Sequence, residues 1–163
     1  MTAQEEQYIH FVSCVDDLNN ARWILLEIKQ HQGHRLVGPA FQFALVEYAK
    51  PYRTSYGATL TSKGKPFPHK LDNSRVPIAH LDLHNRLLTA RDKIHAHSDL
   101  TVRDAKLYVE RLSHGISAVI AQNVIHGAQE LHNIDLIIEL IEQTLLKMYP
   151  EMKLLETKLP STN

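Results

Sequence analysis

Apolar side chains at Tyr8, Phe11, Val15, Leu18, Leu25 and Ile28 recur at steps of three, four and seven residues, the repeat of one helical face. This spacing predicts a long amphipathic helix over the first 31 residues, with Trp23 and Leu26 widening its apolar stripe and Gly33 closing it in Gln30-His31-Gln32-Gly33. A second helix is expected from Val37 to Ala49, carrying Pro39 in its first turn and Phe41, Ala44, Leu45 and Tyr48 on one face until Pro51 stops it. Residues 51–77 hold Pro51, Pro66, Pro68 and Pro77 together with two glycines, so an irregular loop is expected there. Pro77 opens a third helix that reaches His95 or His97. Beyond Asp99 the pattern changes. Ala105–Leu112 and Ile116–Ile125 are rich in β-branched and aromatic residues and read as two strands around Ser113-His114-Gly115, with a helix as the competing reading. Ile134, Ile137, Ile138, Ile141 and Leu145 then mark a fourth helix from about Leu131 to Met148. Pro150 is expected to interrupt it and leave Glu151–Leu159 as a short extension or a frayed tail. The fold class is mainly α, one domain over residues 1–163 with a Pro/Gly-containing loop at 51–77 and a possible β-hairpin near 105–125.

Composition removes several function classes. Lysine plus arginine equal aspartate plus glutamate at 18 each, which argues against a nucleic-acid coat or a membrane-surface protein. Charge is uneven locally: Arg53, Lys63, Lys65, Lys70 and Arg75 face one acid, Asp72, so the 51–77 segment is basic within a neutral chain. Such a segment is either a solvated surface loop or one that brings positive charge to a phosphate-bearing ligand. The single cysteine, Cys14, allows no disulfide framework, and the acidic start Met-Thr-Ala-Gln-Glu-Glu has no apolar signal core. No 18-residue apolar run occurs, so a cytoplasmic protein without a membrane partner is expected. The 11 histidines are unusual, and several fall together.

They fall on the third helix. Spacing residues about 100° apart around it puts Asp82, Asn85, Arg86, Thr89, Asp92 and Lys93 on the solvent side. Leu81 and Leu88 form one apolar edge, and Leu83, Leu87 and Ile94 the other. Between those edges run His80, His84, Arg91 and His95, a polar stripe down the middle of the buried face. Three readings compete. The histidines are hydrogen-bonded core or interface residues; or His80 and His84, at i and i+4, bind a metal ion with His95 or His97 as third ligand; or the stripe handles phosphate. Arg91 opposes the metal reading, because it sets a fixed positive charge among the ligands with no acid on the same face. It favours phosphate, which a guanidinium grips with two parallel hydrogen bonds while an imidazole moves a proton near neutral pH. Arginine with histidine, no serine or cysteine nucleophile motif and no acid cluster for magnesium fits metal-independent RNA cleavage, in which the ribose 2′-hydroxyl is the nucleophile. Gly57 and Gly64 stand isolated, so no glycine-rich phosphate loop is present.

The run Arg91-Asp92-Lys93-Ile94-His95-Ala96-His97-Ser98-Asp99 resembles the signature of the HEPN superfamily, an arginine followed after four to six residues by a histidine, with a polar residue next to the arginine. Arg91 and His97 are separated by five residues, and Asp92 fills the polar position. The extended form with Ala-His-Ser-Asp is most similar to the abortive-infection AbiU-type branch, and the preceding Leu81–Leu88 stretch and Glu47-Tyr48-Ala49-Lys50 are compatible with it. The resemblance is sharp over about 20 residues around the motif.

It implies a four-to-five-helix up-and-down bundle that forms a homodimer, with two motifs meeting at the dimer cleft. It also implies a metal-independent endoribonuclease of a toxin–antitoxin or phage-defence kind, needing no cofactor, with RNA as substrate and an antitoxin or nucleotidyltransferase-type protein as a further partner. His97 would be the catalytic histidine, Arg91 would stabilise charge on the phosphate, and Asp92 would orient one of them. His95 is the rival for proton transfer, and His84, Lys93, Ser98 and Asp99 are the expected substrate contacts. The superfamily also contains members that only bind RNA or proteins, so a non-catalytic module is the alternative. On an unbroken helix His97 points about 120° away from Arg91; either the backbone turns after His95, or Arg91 meets the His97 of a second subunit. The hairpin near 105–125 is an addition to a pure bundle.

Overall fold

A computed structural model of the chain describes residues 1–95, 106–111, 117–122 and 127–160. The protein is mainly helical, with four α-helices among the described residues: α1 (Ala3–Gln30), α2 (Val37–Ala49), α3 (Leu81–His95) and α4 (Ile134–Glu156). Thr2 starts α1 with a reciprocal cap, its hydroxyl accepting from the Glu5 amide while the Glu5 carboxylate accepts from the Thr2 amide at 2.6 Å. Helix α1 packs on α2 and α4, and α2 packs on α3. Leu18, Leu25, Phe41, Leu45, Leu87, Ile137, Ile141 and Met148 are fully enclosed between them. Each such side chain contributes roughly 1.5–3 kcal/mol of burial.

Four features of the helices differ from the expectation. Helix α1 ends at His31, whose amide donates to the carbonyls of Glu27 and Ile28. Gly33 is not left-handed; the positive-φ glycines among the described residues are Gly64 and Gly127. Trp23 does not widen the core stripe. It sits about 140° around the helix from Leu18 and is 63% exposed, beside Leu36 and Phe43 in a groove of about 610 Å³ between α1 and α2; Ala21 and Ile24 take the inward places. Pro150 does not interrupt α4, which continues to Glu156. The amide it lacks would have bonded the carbonyl of Leu146, and both residues lie on the exposed side, where water reaches the freed oxygen. Helix α4 begins at Ile134, three residues after the expected start, because Ala128–Asn133 form a 3-10 turn.

The larger correction concerns residues 51–77. In place of an irregular loop, Ser55–Leu60 (β1) and Pro66–His69 (β2) form an antiparallel hairpin, with Ser55 opposite His69, Tyr56 opposite Pro68 and Leu60 opposite Pro66. A two-stranded ribbon has two outer edges, so a proline in β2 can turn its donorless nitrogen away from the ladder. The register shifts between Tyr56 and Leu60. The tip closes through the Thr61 amide on the Lys65 carbonyl at 2.8 Å, with Gly64 supplying a φ of 70°. The second hairpin, expected near 105–125, is present: Lys106–Arg111 (β3) pairs with Ser117–Gln122 (β4) in continuous antiparallel register. Its proposed turn at 113–115 lies outside the described residues. Among the described residues no helix is long and apolar enough to cross a membrane.

Candidate functional site at the arginine end of helix α3

The polar stripe of α3 divides into two parts with different chemistry. In its first turn His84 is wholly enclosed. Its Nδ1 lies 2.7 Å from the Tyr48 hydroxyl and its Nε2 lies 3.3 Å from Asn73 Oδ1, while the Tyr52 ring meets it edge-on at 4.5 Å between centroids. Asn73 Oδ1 can only accept, so Nε2–H donates to it and the Tyr48 hydroxyl donates to Nδ1, which fixes a neutral imidazole. Burial pushes the His84 pKa down to about 4. His84 is therefore a hydrogen-bonded core residue. Both nitrogens are engaged and neither reaches solvent, which corrects the expectation that it contacts substrate and removes it from the His80–His84 metal pairing. His80 instead points its Nε2 at Glu139 of α4, 3.5 Å away. No group of three metal-ligating side chains occurs among the described residues.

The far end of α3 carries charge. Arg91 is about three-quarters buried and directs Nη1 to Asp92 Oδ1 at 3.3 Å. The other Asp92 oxygen accepts from Nη2 of Arg53, which also lies 3.4 Å from the Leu88 carbonyl. One carboxylate thus serves two guanidinium groups, and the set retains a positive charge. The Nε atoms of both Arg53 and Arg91 are buried without a hydrogen-bond partner among the described residues. A guanidinium cannot shed its proton, so both are enclosed donors that no described residue satisfies. Asp92 thus braces both arginines at the end of α3. Arg53 is the residue that sequence reasoning missed: it lies 39 positions from Asp92, and its one signal was the basic bias of 51–77.

Lys93 is half-buried and lines a shallow cleft of about 240 Å³ with Arg86 and Glu130. There Arg86 forks onto the buried Glu130 carboxylate at 2.8 and 3.3 Å and ties α3 to the turn before α4. Hydrogen bonds from Arg86, and then from Asn133, hold the Glu130 pKa below the usual carboxylate range. Helix α3 runs unbroken through Arg91, Asp92 and Lys93 to His95. His97, Ser98 and Asp99 lie outside the described residues.

A second polar cluster, unforeseen in the sequence, joins α1 to the first hairpin. Glu6 is buried in the first turns of α1, with Oε1 2.6 Å from His69 Nε2 and Oε2 accepting from both the amide and the hydroxyl of Thr59 at 2.6 Å. The Thr59 hydroxyl, then His69, pull the Glu6 pKa down to about 2. A Cβ at Gly57 would lie 1.6 Å from Glu6 Oε1, so any side chain there must push the carboxylate from its place against Thr59 and His69. His10 stacks on His69 at 4.9 Å, and burial lowers its pKa. Beneath it, burial pushes the Cys14 thiol up to about 12, so it is no nucleophile at neutral pH.

Compared with protein-family models, with curated proteins and with solved structures, the chain matches none.

Proposed function

We propose that this protein is a metal-independent endoribonuclease of a defence or toxin–antitoxin type, with a composite active site at a homodimer cleft. The observation that carries the reading is the pair of arginines on Asp92, two guanidinium groups sharing one carboxylate and keeping a net positive charge, at the end of a helix that reaches His95, two positions before His97 in the sequence. A phosphodiester supplies what that arrangement lacks, an anion with several acceptor oxygens. Arg91 holds the phosphate and stabilises the charge that develops on it. Arg53 and Asp92 set the guanidinium in place. His97, with His95 as the rival, takes the proton from the ribose 2′-hydroxyl as its oxygen forms a bond to phosphorus. The bond from phosphorus to the 5′-oxygen breaks, the departing oxygen takes a proton from water while the imidazolium later returns its own to solvent, and the products are a 2′,3′-cyclic phosphate and a 5′-hydroxyl end.

A homodimer suits this reading: α3 is continuous to His95, and on an ideal helix positions 91 and 97 face about 120° apart, so Arg91 of one subunit would work with the His97 of the second. A cytoplasmic setting, where RNA is met and thiols stay reduced, suits the buried, unpaired Cys14. An antitoxin or nucleotidyltransferase-type protein that restrains cleavage belongs to the same reading. The engagement of both His84 nitrogens gives the metal-hydrolase alternative no support.

The test is cleavage of mixed RNA with and without chelator. Chelator-resistant products ending in 2′,3′-cyclic phosphate, abolished in Arg91→Ala and His97→Ala proteins that keep their helical circular dichroism, are expected. RNA binding with no cleavage by the unaltered protein would establish a binding module instead. Cleavage lost on chelation and restored by a divalent cation would overturn the mechanism.

A further inference from the structure

The β1–β2 hairpin carries a surface that the arginine site does not use. Its strand alternation sorts the side chains cleanly: Gly57 and Thr59 turn toward Glu6 of α1, whereas Tyr56, Ala58 and Leu60 turn outward and are exposed. Pro68, opposite Tyr56, and Pro66, opposite Leu60, share that outer face. Tyr56 is 71% exposed and Leu60 62%, so a six-residue strand, about 20 Å long, presents an open face with an aromatic ring on it. Lys63 and Lys65 sit at the tip and Lys70 just past the end of β2; all three are exposed. The arginines of the same segment are committed, Arg53 to Asp92 and Arg75 to Glu151 and Asp72, but none of these three lysines has a carboxylate within 4 Å among the described residues. Residues 54–71 contain no acid at all.

We infer that this ribbon binds single-stranded RNA, with Lys63, Lys65 and Lys70 along the phosphates and Tyr56 stacking on an unpaired base. The inference deepens the ribonuclease reading by naming the form of its substrate. A single strand offers both a backbone of charge and exposed base faces, whereas a duplex keeps its bases stacked inside. The lysines at both ends of the strip, with no acid between them, favour a polyanion over a protein surface or a second copy of this chain. Glu6 anchors the inner face through Thr59 and His69, so the ribbon is held rigid on α1 while its outer face stays open.

Fluorescence polarisation tests this with one labelled 12-nucleotide RNA presented as a single strand, as a duplex and as the DNA strand of the same sequence. The background is His97→Ala protein, so that the probe is not cut. The substitutions Tyr56→Ser and Lys63→Ser/Lys65→Ser fall at exposed positions and leave the thermal midpoint unchanged. Single-stranded RNA is expected to bind more tightly than duplex. Tyr56→Ser weakens it at least about fivefold, and the double lysine variant lowers the salt slope of log affinity by about 1.4. Unchanged single-strand affinity in both variants overturns the inference, as does duplex or DNA binding tighter than that of the RNA strand. So does a change confined to oligomeric state in sedimentation, which would assign the strip to a second copy. Loss of binding in the variants of a protein that never cleaves RNA would uphold this surface and remove the nuclease. Cleavage with unaffected binding would do the reverse.

Discussion

His84 shows how far one residue's chemistry depends on what packs around it. Its spacing from His80 and its place beside Arg91 made it a candidate for substrate or metal, and the helical repeat did place it on the inner face. What the repeat does not carry is the identity of the neighbours: Tyr48 from α2 and Asn73 from a separate turn satisfy both nitrogens and leave it neutral. Its folded pKa of about 4, against an ordinary 6.5, has a defined consequence for stability. The unfolded chain binds the proton between those values, so stability is full above pH 6.5 and falls by about 3 kcal/mol as the pH drops to 4. The half-buried His10 adds loss in the same direction. Glu6, held at about 2 against 4.5, contributes stability above pH 4.5 that is lost as the pH falls toward 2. Urea midpoints measured from pH 7.5 to 2.5 should therefore decline in two successive stages. A His84→Gln protein should start lower at neutral pH and show a shallower first stage; an unaltered first stage would mean that His84 does not titrate as its burial requires.

Elements divide by how much of their stability is local. The four helices were legible because apolar periodicity acts within a few turns, and a proline such as Pro39 fits a first turn. The β3–β4 hairpin was legible from its β-branched residues. The β1–β2 hairpin was not, since its prolines read as breakers and its anchor, Glu6, lies 53 residues before Thr59. Pro150 was read as an interruption for a related reason: whether the freed carbonyl finds water depends on which side of α4 faces out. The hairpin's dependence on Glu6 is testable through its glycine. Gly57→Ala forces the carboxylate aside and should lower the urea midpoint and expose the Thr59 amide to hydrogen exchange. Gly38→Ala, in α2 with nothing within 4 Å of the added methyl, should raise stability by roughly 0.5–1 kcal/mol. Equal effects at the two positions would contradict the clamp.

At the scale of the whole molecule, the arginine site depends on residues brought together from α3 and from the start of the first hairpin segment. Arg91 and Asp92 were legible as a motif at the end of an apolar-periodic helix. Arg53 was not, because nothing local ties it to Asp92; only the packing of α2 on α3 brings it there. If the catalytic unit spans two subunits, with Arg91 from one and His97 from the other, inactivating substitutions at the two positions complement each other. The decisive measurement is RNA cleavage in chelator by an Arg91→Ala and His97→Ala mixture, unfolded together and refolded so that subunits exchange. Each protein alone should be inactive, and the mixture should recover about a quarter of the unaltered rate, since half the dimers are mixed and each rebuilds one of two sites. A mixture as inactive as its components, from variants that each fold and dimerise, would contradict the composite site.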